Sequence, residues 1–113
     1  MKQRTKTFAV CVAKFVETLP RSRAADHFGH QLVRAGTSVG ANYRSARRAR
    51  SNADFLYKLG LAEEEADESA YWLELLAEVG VVSADLIREL HAEADQLTRI
   101  FVASAKTARQ RGK

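Results

Sequence analysis

The sequence predicts an all-α fold, an antiparallel up-down-up-down four-helix bundle forming a single domain over residues 1–113. Three observations carry this. Apolar residues recur every three or four positions along most of the chain, and no stretch alternates with period two. Capping and breaking residues cut the chain into four long segments with short connections, which makes neighbouring helices antiparallel. A chain of 113 residues, 46% hydrophobic, with one proline and six glycines, is sized for one modest core and is not composed like a disordered segment.

The first helix shows its stripe at Phe8, Val12, Phe15 and Leu19 and stops at Pro20. The second, opened by Ser22 as N-cap, runs through Ala24, Phe28, Leu32, Ala35, Val39 and Tyr43. The third follows Phe55, Leu59, Ala62, Ala66, Ala70, Leu73 and Leu76. Ser51 and Asp54 form a capping box at its start, and Gly80 is a C′ residue at its end. The fourth, opened by Ser83 with Asp85 in its first turn, follows Leu86, Leu90, Leu97, Phe101 and Ser104. A short basic tail covers about residues 107–113.

No apolar run approaches the roughly 20 residues that span a bilayer. The opening "MKQRTKTFAVCVAKFV" is interrupted by Lys14 and reads as a helix of the fold, not as a targeting segment. Cys11 is the single cysteine, so no internal disulfide forms; the expectation is a reducing, cytoplasmic setting with Cys11 as a small buried hydrophobe.

Folding the helices on paper places the special residues. If the second and third reverse near residue 50, Gly40 falls opposite Gly60 and Leu61, Gly36 opposite Glu65, and Arg34 opposite Asp67 as a salt bridge. Glycine inside a helix costs about 1 kcal/mol against alanine. "AGTSVGA" is therefore expected to give the second helix a smooth face for the third, with Ser38 and Asn42 beside that contact and Asn42 satisfying a buried polar need.

The charge is segmented. Residues 1–50 hold eleven Lys/Arg against two acids, residues 51–98 two against twelve, and residues 99–113 five against none. The same paper fold gathers Arg44, Arg47, Arg48 and Arg50 with Lys106, Arg109, Arg111 and Lys113, and with Lys2, Arg4 and Lys6, at one pole. Arginine forks match phosphate oxygens, so this pole is the candidate contact for RNA or DNA, by backbone more than by base sequence. Tyr43 could offer a stacking face there, although its helical position assigns it to the core.

Two other readings come from the acids. In "EEEADE", Glu64, Glu65 and Glu68 fit half the E-E-x-x-E pattern of a magnesium-dependent nucleotide pyrophosphohydrolase. The second half, an E-x-x-D, is missing: Ala92 follows Glu89 and Gln96 follows Glu93. His27, His30 and His91 form no ligand set, and no Glu-x-x-His occurs. The expectation is therefore no enzyme, no metal and no cofactor. Alternatively the acidic helix pairs with basic segments of another copy, in an assembly or adaptor module whose apolar contact is Leu56, Leu61, Trp72 and Leu75.

Residues 31–76, with Ser38, Ala41 and Asn42 in a Ser-x-x-Ala-Asn element and a Phe55-to-Trp72 helix carrying "EEEADES", resemble the bacterial 23S rRNA intervening-sequence proteins, also called four-helix bundle proteins. The resemblance implies a left-handed bundle, a homopentameric ring and no established enzymatic activity. It also implies similarity to the accessory protein of diversity-generating retroelements, a pentamer whose basic surface engages nucleic acid and a reverse transcriptase. Many relatives carry a Glu-Gly pair where this chain has Arg44 and Ser45, which makes this pole the more basic.

Overall fold

The computed structural model describes residues 1–112. Four helices make a rod of 49 × 21 × 19 Å: α1 (Lys2–Glu17), α2 (Arg23–Arg47), α3 (Asn52–Glu78) and α4 (Ala84–Arg111). Each packs most closely on its neighbours in sequence, and α1 touches α4 least. Among the described residues there is no strand, and no helix is long and apolar enough to cross a membrane.

The caps explain the boundaries. Ser22 Oγ accepts the Ala25 amide at 3.1 Å, and Ser51 Oγ accepts the Asp54 amide at 3.0 Å. Only that half of the expected capping box forms. The Asp54 carboxylate pairs with Lys58 at 3.2 Å, one turn on, instead of reaching back. Ser83 makes no side-chain cap. At the end of α3, Gly80 has φ +81°, Val81 N–H donates to the Leu76 carbonyl and Gly80 N–H to that of Ala77, a complete Schellman motif.

The core follows the apolar stripes with shifts of one position. Phe8, Val12, Leu32, Val39, Leu59, Leu73, Leu76, Leu97 and Phe101 are buried, and Tyr43 stacks on Phe101 with centroids 5.9 Å apart. Leu86, expected in the core, is 63% exposed because the first turn of α4 directs Ile87 inward instead. Leu19 and Pro20 fall beyond the end of α1. Cys11, expected to be buried, is exposed: the inward position is taken by Val12.

The largest correction concerns the glycines. Gly36 and Gly40 face α1, not α3. A Cβ on Gly36 would lie 2.9 Å from Val12 Cγ1, and one on Gly40 would lie 3.3 Å from Thr5 Oγ1. Gly60 has open space around its missing side chain and packs nothing. Buried Thr5 and Val12 therefore close the α1–α2 seam, with the Thr5 hydroxyl donating to the Lys2 carbonyl.

The α2–α3 seam is edged by polar contacts beside its apolar packing. Arg34 donates to Glu65 at 3.0 Å and to Glu68, two residues before and one after the Asp67 expected, and Asp67 is exposed. Helix geometry requires this: residues 65 and 68 share a face that 67 leaves. Asn42 Nδ2 donates to the Ser38 carbonyl at 2.9 Å, a local bond within α2 rather than a cross-helix one, and the Ser38 hydroxyl donates to the Arg34 carbonyl.

Candidate functional site

At one end of the rod the last turn of α2, the first turns of α1 and α3 and the last turns of α4 meet. Lys2, Arg44, Arg47 and Arg48 line one concavity of about 190 Å³. A second, of about 410 Å³, joins Lys2, Lys6 and Arg44 to Thr5, Thr37 and Tyr43. Across the end, Asn52 Nδ2 donates to the Ala108 carbonyl at 3.1 Å, tying the start of α3 to the end of α4. Asn52 and Arg111 then line a third opening of about 560 Å³. Arg50, two residues before Asn52, and Lys106 and Arg109 are exposed at this end.

Parallel α2 and α4 share one level here. Since Tyr43 stacks on Phe101, Arg47 sits level with about residue 105, at the 1.5 Å rise per residue of each helix. The loop arginine Arg50 follows in the same direction. Three chain stretches far apart in sequence thus deliver their cations to a common tip, as the paper fold expects; Lys113 lies outside the described residues.

What distinguishes these cations is their crowding at one end without a carboxylate; among the described residues, Lys14, Arg21 and Arg23 toward the other end are also unpaired but fewer. Among the described residues, Lys2, Lys6, Arg44, Arg47, Arg48, Arg50, Lys106, Arg109 and Arg111 make no ion pair, and the ion pairs that do form are local or lie along the barrel. Asp54, the nearest acid in sequence, is occupied by Lys58.

Arg4 is the exception within the expected set. It leaves the tip for α4, where Nε and Nη2 grip the two Glu93 oxygens at 2.8 and 2.7 Å and Nη2 also donates to Gln96. The hydrogen bond to Glu93 raises its pKa further above an already high value. This fork clips α1 to α4 along the thinnest seam of the bundle. A sequence reading has no means of choosing Arg4 from its neighbours, since the acid that claims it lies 89 positions away.

The acidic run of α3 divides in two. Glu64 and Asp67 face outward, whereas Glu65 and Glu68 are held by Arg34, with Trp72 Nε1 donating to Glu68 at 3.1 Å. Burial and a hydrogen bond that its protonated form donates to Glu68 push the Glu65 carboxyl up. Burial also works against the Glu68 charge, but the hydrogen bonds from Trp72 and Arg34 outweigh it and hold that carboxyl low. Glu64 is exposed and takes no part in the Arg34 pairing. Among the described residues no group of three or more His, Cys, Asp or Glu is placed to hold a metal ion.

Trp72 serves the fold. It packs against Phe28 at 5.8 Å and edge-on to His27 and Tyr71, and it borders the core with Leu56. On the outward face of α3, Tyr57 and Tyr71 are 66% and 53% exposed, an apolar surface that core-stripe reasoning passes over.

Among curated proteins nothing matches the chain. A crystal structure of a protein of unknown function from the S23 ribosomal protein family of Bacteroides thetaiotaomicron is similar, with 31% identity and a TM-score of 0.86, covering 93% of this chain and 94% of that one. Its helices thus superpose on these over nearly their whole length. The family described as 23S rRNA-intervening sequence protein matches residues 1–103, all but the last turns of α4, and the chain belongs to that family.

Proposed function

We propose that this protein is a non-enzymatic, cytoplasmic homo-oligomer that binds RNA or DNA through its basic tip. The observation that carries the reading is the crowding at one tip of six exposed arginines, Arg44, Arg47, Arg48, Arg50, Arg109 and Arg111, none paired with a carboxylate among the described residues. Carboxylates are spent elsewhere, on Arg4, Arg34 and Lys58. An unpaired guanidinium keeps all its donors for phosphate oxygens, and each phosphate it neutralises releases counterions. Assembly as a pentamer follows from the family resemblance; five tips on one particle would turn weak contacts into firm ones by avidity.

The test is a quadruple Arg44/Arg47/Arg48/Arg50→Ser variant. Its helix content is expected to be unchanged, because these side chains make no hydrogen bond or ion pair among the described residues and lend only the modest favour of cations near the end of α2. Its affinity for a mixed RNA is expected to fall tenfold or more, with a visibly flatter dependence of log K on log salt. An unaltered salt slope removes these arginines from the interface.

A second reading rests on exposed Tyr57 and Tyr71 beside Glu64 and Asp67 on the outer face of α3. In this adaptor reading that face meets another protein, a second copy or a reverse transcriptase-like partner, without nucleic acid. Native mass measurement with and without RNA separates the two: an RNA-dependent mass supports the tip, and an RNA-indifferent oligomer that binds no RNA supports the adaptor.

A further inference from the structure

The opening at the tip between α3 and α4 differs from the other two in chemistry. Its floor is apolar, from Phe55 and Ile100; its edges are hydroxyl and amide, from Ser104, Thr107 and Asn52; and Arg111 stands at its rim. At about 560 Å³ it falls within the usual size of small-ligand sites. Phe55 is half-buried, so part of its ring faces the opening.

Ser104 marks the site further. Ser38, Ser69, Thr98 and Thr107 each return their hydroxyl to a carbonyl one turn back, the usual resort of a hydroxyl within a helix. Ser104, like Ser45 and Thr7, makes no such bond, and among these three it alone lines this opening.

An apolar floor with an aromatic ring, a few polar edges and a cation at the mouth suits a flat, polar-rimmed aromatic group carrying a phosphate. We propose, building on the reading of the tip as a nucleic-acid interface, that this groove receives an unstacked nucleobase, so that the strand gripped is single or looped and not continuous duplex. The charge complement decides the occupant. Arg111 at the rim and unpaired Lys106 and Arg109 on the same turns of α4 favour an anionic strand over an apolar peptide. A base inside a duplex is stacked on both faces and cannot enter; an unpaired base offers its face to Phe55 and its edge to Ser104 and Asn52.

The test compares three RNA probes of equal length on the full chain: a mixed-sequence single strand, a blunt duplex of the same sequence, and a single strand made wholly abasic. Ala103, exposed on the wall of the groove, is replaced in Ala103→Trp to fill it without touching a cation. The parent is expected to prefer the single strand to both other probes by about tenfold or more, the contribution of a stacked base. Ala103→Trp is expected to lose that preference and keep its duplex affinity and salt slope. Equal affinity of the parent for all three probes overturns the groove while leaving the tip intact. Loss of binding to single strand and duplex alike in Ala103→Trp, together with a lower native mass, assigns the groove to a second copy and overturns the proposal. Absence of binding to every probe overturns the tip and the groove together. Phe55→Leu, which keeps an apolar floor but removes the ring, is the second check: it is expected to weaken the single strand alone.

Discussion

The two long faces of α2 join their neighbours by opposite means. Toward α1 the contact is made by absence: Gly36 and Gly40 let Val12 and Thr5 approach the helix backbone. Toward α3 the apolar packing, Phe28 on Trp72 included, is edged by reach, with Arg34 spanning the seam to Glu65 and Glu68 and Trp72 donating to the second of these. A glycine seam depends on shape and is indifferent to pH and salt; a guanidinium seam depends on charge and is sensitive to both. The difference also separates the arginines of this helix. Arg34 lies where α3 still carries acids, whereas Arg44, Arg47 and Arg48 lie beside a stretch of α3 whose Asp54 is already taken. Arg34 is held by the fold, and Arg44, Arg47 and Arg48 are not.

Breaking the polar seam is expected to cost most. In Arg34→Met the side chain is 43% exposed, so solvent screens part of the loss, but Glu65 is left only 16% exposed without its counter-ion. A stability loss of about 1–2 kcal/mol is expected in urea titration at neutral pH. The pH dependence has a definite sign. Glu68, held low when folded, contributes stability above the ordinary carboxylate value that is lost as pH falls through its folded value. Glu65, pushed up, works the other way and loses its share as pH rises through its folded value. Removing Arg34 raises both carboxyls, so the deficit of the variant is expected to shrink toward zero in acid, where both are protonated. A deficit that stays constant from pH 7 to below pH 4 would show that Arg34 acts by packing alone.

The glycine seam is expected to respond next. A methyl on Gly36 meets Val12, which is fully buried and stiff at χ1, so overpacking of about 1–3 kcal/mol is set against a helix-propensity gain of about 1 kcal/mol. Gly36→Ala is thus expected to destabilise by about 1 kcal/mol, with no change between pH 4 and 8. The smallest effect has the opposite sign. Gly60→Ala points into open space and is expected to stabilise by up to about 1 kcal/mol, read as a raised Tm. If Gly60→Ala instead destabilises, that face of α3 is covered in the assembled protein, and a drop in native mass would accompany it.

The glycines show why the sequence stops short. A helix with Gly36 and Gly40 four apart announces that something comes close on that face, but not which neighbour. Antiparallel order gives α2 two sequence neighbours, α1 and α3, and spacing along α2 does not choose between them. Arg34 shows a milder form of the same limit: its partner helix and its acidic segment are legible from charge and spacing, whereas the choice of Glu65 and Glu68 over Asp67 depends on rotation about the helix axis. Exposed Cys11 and Leu86 fail for that reason too, since one position on a helix turns a side chain by about 100°.

By itself the sequence determined the number of helices, the caps at Ser22 and Ser51, the turn at Gly80 and the meeting of the cations at one end, because these depend on local spacing and on antiparallel order. Only the tertiary structure decided which seam the glycines close, which arginine an acid removes from the tip, and that Phe55 and Arg111 share a groove. Those outcomes rest on the rotation and depth of whole helices. Such rotations are fixed jointly by four packed faces and by no short stretch of chain.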